Sequence, residues 1–143
     1  PHISVNTSWS SWAQYVQITL PSGRRLSYGK PELALDEKRE GATQFTYYGQ
    51  IPMSQQWGRI KLYGAKAFEN ICQAVAADLM SYGARKAEEQ WMIPFALIHD
   101  QALAINVGDR KPGEFANALQ QLPPWANGLP LKAEAKLADY YSK

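Results

Sequence analysis

The sequence has one cysteine, Cys72, among its 143 residues. One thiol cannot form a disulfide within the chain, and it excludes a metal site built from several cysteines. Disulfide-rich folds are typical of small secreted domains, whereas free thiols persist in reducing compartments. We therefore expect a cytoplasmic protein.

Long apolar runs and a strong charge of one sign are also absent. No run reaches the roughly 20 apolar residues that a membrane-spanning helix needs, and no signal-peptide pattern opens the chain. We therefore expect no membrane partner. The formal net charge is +2 at pH 7, which permits contact with nucleic acid but does not by itself indicate it.

Hydrophobic residues make up 45% of the chain and aromatic residues 12%, which is enough for the core of one domain. We predict a single domain over residues 1–143. It divides into a hairpin and loop region at 1–50 and a core region at 51–143.

The first region begins with a hairpin pattern. The segments "QYVQITL" (14–20) and "RLSY" (25–28) flank "PSGR" (21–24), and this order predicts two strands joined by a turn. Residues 29–42 are charged and contain glycine and proline, so we predict an exposed loop there. A strand at 43–49 follows it.

Helical periodicity extends from residue 64 to about residue 89. One face carries apolar residues at spacings of three and four, which are Phe68, Ile71, Cys72, Val75 and Leu79. The other face carries a polar stripe, and its members are Lys66, Glu69, Asn70 and Gln73. A solvated face is the usual interpretation of such a stripe.

Two apolar segments, 93–98 and 102–107, predict strands that meet at a polar tip. A helix is predicted from about 112 to 121. The alternation of apolar and charged residues over 131–138 predicts a last strand with one covered face. Strand pairs with such helices predict an α+β fold, in which helices pack on one face of an antiparallel sheet.

The polar tip consists of His99, Asp100 and Gln101. A carboxylate that two buried strands hold in place could bind Mg²⁺, which is commonly held by one or two carboxylates together with substrate phosphates. An ordinary polar turn explains the same three residues equally well. The dipeptide His-Asp alone does not decide between the two.

The wider sequence resembles the C-terminal part of family A DNA polymerases, the DNA polymerase I type, from bacteriophages and prophages. Four segments carry the resemblance in the family's order, "LPSGRRLSY" (20–28), "YGAKAFENICQAVAADLM" (63–80), "IHDQALAI" (98–105) and "LPPWANGLPLKAEAKLADYY" (122–141). Together they cover nearly the whole chain after the first dozen residues. The resemblance implies an incomplete palm subdomain with its core at 51–143, in a bacterial host cell.

The resemblance also implies roles for the residues at the tip. Asp100 would be one of two carboxylates that hold the catalytic Mg²⁺ ions, which can stabilise both the attacking and the leaving oxygen. His99 would lie beside the primer terminus. For His99, a hydrogen-bonded turn histidine remains open as the alternative.

The same resemblance implies that further residues contact DNA. Asn70 and Gln73, with Glu69 and Lys66 beside them, would face the minor groove of the primer-template duplex, whose acceptors are shared by all base pairs. Arg24 and Arg25 would contact backbone phosphates, although solvated surface arginines explain them equally well. The implied partners are primer-template DNA and deoxynucleoside triphosphates.

The chain departs from the family pattern in two respects. Gln101 stands where many relatives have glutamate, so a third acidic contribution is in doubt. The family's first catalytic aspartate and its nucleotide-binding fingers helix have no matching motif in this sequence. We therefore expect a C-terminal fragment, ending at "ADYYSK", that does not polymerise alone. Surface left open by such a truncation could drive dimerisation.

Two alternatives remain. The chain could be a non-catalytic nucleic-acid-binding module, for example a prophage remnant that uses the polar stripe of the helix. It could also be a structural or interaction domain in which Asp100 is only a turn residue.

Overall fold

The computed structural model describes residues 3–9, 14–35, 41–106 and 108–141, with the backbone alone at 6–9. The described chain has an α+β fold, which confirms the prediction. It divides into two compact units, unit 1 at Pro1–Val75 and unit 2 at Ala76–Lys143. The single domain over 1–143 stays a prediction. Within the described ranges no helix is long and apolar enough to span a membrane.

Unit 1 contains a five-stranded antiparallel sheet whose strands follow one another in chain order. This order confirms the hairpin at 14–20 and 25–28 and the strand at 43–49. The five strands are β1 (Ser4–Trp9), β2 (Gln14–Thr19), β3 (Arg25–Leu35), β4 (Thr43–Gln50) and β5 (Trp57–Lys61).

The turn between β2 and β3 has a local cause. The Leu20 N–H donates to the Arg24 carbonyl at 2.8 Å, and the Gly23 N–H donates to the Leu20 carbonyl at 2.9 Å. Gly23 has a φ of +84°, which glycine adopts without a steric penalty. Leu20 is 1% exposed, so it anchors this turn in the core of the unit.

The predicted loop at 29–42 is wrong in its first half, because β3 continues to Leu35. The register between β3 and β4 shifts between Gly29 and Glu32, and Lys30 has a φ of 48°. This irregularity accommodates Pro31, which has no N–H to donate and is tolerated in strands at such bulges. Residues 36–40 of the predicted loop lie outside the described residues.

Helix α1 (Gly64–Glu88) confirms the predicted helix. Its burial differs from the predicted apolar face, since Phe68 is 68% exposed and Cys72 is exposed. The most buried positions are instead Ala74, Leu79, Gly83 and Ala87. All but Leu79 are small residues, and small side chains let a helix approach its neighbours closely.

Unit 2 contains a two-stranded antiparallel sheet and a second helix. The elements are β6 (Pro94–Ile98), β7 (Gln101–Ala104) and α2 (Pro112–Leu119). They confirm a hairpin between the segments 93–98 and 102–107, although Val107 lies outside the described residues. Three buried residues, Ala87, Met92 and Ala118, form a core cluster against which Phe115 packs.

The predicted last strand at 131–138 is wrong, because these residues have no regular secondary structure. Leu131, Ala133 and Ala135 are nevertheless half-buried, while Lys132 and Glu134 are exposed and form an ion pair of 2.7 Å. The alternating sequence therefore controls which side chains are covered. A strand also needs a backbone partner, which the sequence pattern cannot supply.

Two helical glycines should respond in opposite ways to substitution by alanine. At Gly83 a Cβ would lie 2.6 Å from the Leu119 carbonyl oxygen, so we expect Gly83→Ala to lower the free energy of unfolding by about 1–3 kcal/mol. At Gly113 a Cβ would meet no atom within 4 Å. Gly113→Ala should therefore leave that free energy unchanged or raise it by up to about 1 kcal/mol. Urea titrations followed by circular dichroism measure both effects, and equal stability of the two variants would contradict the close contact.

Candidate nucleic-acid interface

The β6–β7 hairpin presents His99 and Asp100 at its tip. Ile98 pairs with Gln101, which leaves these two residues in the turn. His99 has a φ of 55°, and two-residue hairpin turns favour a positive φ at the first of their two central positions. Histidine adopts this conformation more readily than most residues that have a Cβ.

Gln101 differs from the sequence prediction, which placed it in the tip. It begins β7, and its Oε1 accepts a hydrogen bond from the Tyr141 hydroxyl at 3.1 Å. The amide therefore ties the hairpin to the end of the described chain. This contact occupies the amide oxygen of Gln101.

Asp100 is exposed, and its carboxylate makes no hydrogen bond or ion pair with any described residue. The described ranges contain no group of three or more His, Cys, Asp and Glu side chains that could hold a metal ion. One open carboxylate is compatible with Mg²⁺ when phosphates and water supply the other ligands.

The polar stripe of α1 is a connected surface in unit 1. The Lys66 Nζ lies 3.1 Å from Oε1 and 3.0 Å from Oε2 of Glu69, and the Gln73 Nε2 donates to Glu69 Oε1 at 3.2 Å. The hydrogen bond from Lys66 to Glu69, together with the charge of Glu69, raises the pKa of Lys66. The stripe therefore presents a cation, an anion and an amide side by side.

Asn70 does not belong to this connected surface. Its Nδ2 donates to the Tyr28 hydroxyl at 3.2 Å, and Tyr28 is 6% exposed. Tyr28 in turn packs edge-on against Tyr47, with ring centroids 5.0 Å apart. Asn70 thus holds the first half of α1 on the sheet, and its role as a DNA contact stays a prediction.

The two predicted phosphate-binding arginines differ in their surroundings. The Arg24 Nη2 donates to the Ala74 carbonyl of α1 at 2.7 Å, so this side chain supports the contact between turn and helix. Arg25 is the first residue of β3 and is exposed. Of the pair, Arg25 is the more available to an external ligand.

The structure therefore groups the predicted residues unit by unit. In unit 1 it joins Lys66, Glu69 and Gln73, and in unit 2 it places His99 beside Asp100. Sequence reasoning missed an exposed aromatic pair on the sheet, Tyr48 and Trp57. The sequence contained a signal for this pair. Residues two apart in a strand share a face, so the alternation in "TYYGQ" (46–50) and "WGRIK" (57–61) indicates which side chains lie with Tyr48 and Trp57.

The chain is similar over 127 residues to the DNA polymerase of Bacillus phage SP02, with 39% identity. The matching region covers 88% of this chain and 19% of that polymerase, so the chain spans about a fifth of the relative. No protein-family model and no solved structure matches it. The similarity supports a relationship to one part of a phage DNA polymerase.

The bond between Asn70 and Tyr28 predicts a difference in stability between two amides of α1. Asn70→Ala leaves the buried Tyr28 hydroxyl without this partner, so we expect the free energy of unfolding to fall by about 1 kcal/mol. Gln73→Ala removes an exposed amide and should change it by less than about 0.5 kcal/mol. Thermal or urea unfolding measures both, and equal losses would contradict the supporting role of Asn70.

A second prediction concerns alkaline pH. Burial raises the pKa of the Tyr47 hydroxyl above its ordinary value of 10.0, the neighbouring Tyr28 raises it further, and Lys66 opposes the change. Because the unfolded chain then loses this proton at lower pH than the folded chain, the Tyr47 contribution to stability is present below pH 10.0 and is lost as the pH rises through the folded pKa. Tyr47→Phe should weaken this fall in stability above pH 10.0. Urea unfolding at stepped pH values tests it, and identical pH profiles for both proteins would contradict it.

Proposed function

We propose that this chain is a segment of a longer DNA-directed DNA polymerase of family A, and that it forms part of the palm. The single observation that carries the proposal is the 39% identity over 127 residues to a phage DNA polymerase. The four segments that resemble this polymerase type include both the His-Asp tip and the polar stripe of α1. An α+β architecture with an antiparallel hairpin at the tip is compatible with such a role.

In this proposal Asp100 is a metal ligand. The hairpin supports it, because a two-residue turn between paired strands fixes where the carboxylate leaves the backbone. The residue is exposed, and its carboxylate makes no hydrogen bond or ion pair with another described residue. Bound Mg²⁺ would supply electrostatic stabilisation of the phosphate charge during nucleotide addition. His99, adjacent at the same tip, would contact the end of the primer.

The polar stripe would bind the primer-template duplex, and Arg25, which lies on the side of the sheet away from α1, would contact a separate DNA phosphate. Lys66 is a cation on α1 with a side chain that is 44% exposed, and Arg25 is an exposed cation at the start of β3. Both suit phosphate oxygens. The Gln73 amide, whose position Glu69 fixes, can donate a hydrogen bond to minor-groove acceptors.

Catalysis in this proposal belongs to the longer chain. The segment spans 19% of the phage polymerase that it matches, and it contributes one of the two carboxylates that the mechanism needs. Positioning of the nucleotide and a second carboxylate would come from the remainder, and these account for most of phosphoryl-transfer catalysis. We therefore expect no nucleotide addition by residues 1–143 alone.

Primer extension by the complete polymerase that contains this segment tests the proposal. Asp100→Asn keeps the shape of the side chain but removes its charge, so we expect Mg²⁺-dependent extension to fall roughly 100-fold or more. Primer-template affinity should change little, because the carboxylate does not attract DNA. Asp109→Asn is the matched control, since Asp109 is also exposed and should retain full extension.

Equal extension by the Asp100 and Asp109 variants would show that the tip is only a polar turn. Absence of extension in the complete protein, together with salt-sensitive DNA binding that survives Asp100→Asn, would favour the non-catalytic binding module instead. These two results separate an error in the site from an error in the function.

A further inference from the structure

The five-stranded sheet of unit 1 has two chemically different faces. Tyr28 and Tyr47 lie on the inner face, where Tyr28 accepts the hydrogen bond from Asn70 of α1. Successive side chains of a strand point to opposite faces, so their neighbours Gly29 and Tyr48 belong to the other side. We call this side of β2 to β5 the outer face.

Aromatic side chains cross the outer face from β2 to β5. Gly29 pairs with Tyr15 on one side and with Tyr48 on the other. Tyr48 stacks on Trp57 of β5, with ring centroids 6.0 Å apart and an interplanar angle of 27°. Tyr15, Tyr48 and Trp57 are 37%, 40% and 66% exposed, so most of the Trp57 indole is open to a ligand.

The strands that carry these rings also carry cations. Lys30 Nζ lies 5.1 Å from the centroid of the Tyr48 ring, and Arg59 forms an ion pair with Glu32. The sequences of β2 to β5 contain one acidic residue, Glu32, and four basic residues, which are Arg25, Lys30, Arg59 and Lys61. The charge of this part of the sheet is therefore positive.

Open aromatic rings among cations are the combination that binds single-stranded nucleic acids. Every base has a flat surface that stacks on an aromatic side chain, and the cations attract the phosphates between bases. Protein-binding surfaces differ, because their cores are depleted in charged residues and lysine is rare there. A base-paired duplex does not suit this face either, because its bases are already stacked on each other.

We propose that the outer face of the sheet binds single-stranded DNA, with unpaired bases stacked on Trp57 and Tyr48 and phosphates near Lys30 and Arg59. This inference rests on the proposed function, and it adds a second DNA site, for the unpaired template strand, to the duplex contacts of α1. The rings and charges of the sheet alone would bind this strand. Its test therefore does not depend on Asp100.

The site is tested by the affinity of the 143-residue chain for a labelled twelve-nucleotide oligothymidylate, measured by fluorescence anisotropy. Trp57→Ala should weaken binding about 5- to 150-fold, the range of one lost stacking partner. Trp57→Phe should retain most of the affinity, because a ring remains. Trp91→Ala, which removes an 81% exposed indole of unit 2, is the matched control and should bind like the unchanged chain.

Salt dependence tests the phosphate contacts separately. Lys30→Gln should reduce the slope of log affinity against log salt by about 0.7, as expected for one phosphate contact on a single strand. Circular dichroism of each variant verifies that the sheet is intact. If a variant loses the sheet, the double variant Tyr48→Phe/Lys30→Gln takes its place. For this variant we expect that bases still stack on the ring at position 48 and that the slope of log affinity against log salt is reduced.

Three results would overturn the inference: no binding of the oligonucleotide at low salt, equal losses for Trp57→Ala and Trp91→Ala, or an equal loss of affinity for a duplex of the same length in Trp57→Ala. Asp100→Asn should leave oligonucleotide binding unchanged. If Asp100→Asn abolishes primer extension but the unchanged chain does not bind the oligonucleotide, only the proposed single-strand site on the outer face is refuted. Normal extension in that variant with Trp57-dependent binding would refute the metal-ligand assignment alone.

Discussion

The buried hydroxyl of Tyr28 accepts a hydrogen bond from Asn70 and thereby attaches the first half of α1 to the five-stranded sheet. Arg24 supports the same attachment by donating to the Ala74 carbonyl of the helix. A polar group on a buried residue needs a partner, so the two side chains restrict the position of the helix more than apolar packing alone would. Lys66, Glu69 and Gln73 lie on the same helix, and this attachment decides how they are presented.

The attachment also decides which face of the sheet remains open. With Tyr28 and Tyr47 turned toward the helix, the alternation of strand residues places Tyr48 and Trp57 on the other side. Three of the four basic residues of β2 to β5 then accompany the exposed rings, since Arg25, Arg59 and Lys61 occupy alternate strand positions on that side. One buried contact in unit 1 thus underlies both proposed DNA-binding surfaces, one on the helix and one on the sheet.

The hairpin of unit 2 obeys a different constraint. Its position depends on backbone pairing from Pro94 to Ala104 and on a turn that accepts the left-handed conformation of His99. The turn leaves Asp100 exposed, where an arriving cation can reach it. The helix-sheet attachment of unit 1 uses polar groups to hold elements together, whereas the hairpin tip leaves its carboxylate open to an external partner.

Local sequence patterns were sufficient for several elements. The helix at Gly64–Glu88, the β2–β3 hairpin and the tip at His99 and Asp100 all follow from periodicity and turn residues within a short window. The stripe of Lys66, Glu69 and Gln73 was also visible, because helical spacing alone brings these residues to one side. The exposure of Asp100 was not visible, since it depends on what the rest of unit 2 leaves uncovered.

The sequence by itself determined the α+β class, the positions of most strands and helices, and the polar residues at the hairpin tip, because each depends on interactions between near neighbours in the chain. Only the tertiary structure decided that β3 passes through Pro31, that 131–138 has no strand partner, that Asn70 turns to Tyr28, and that Trp57 stacks on Tyr48. These outcomes depend on register and on contacts between distant segments. A one-dimensional pattern does not contain them, because the same alternation of residues is compatible with several partners.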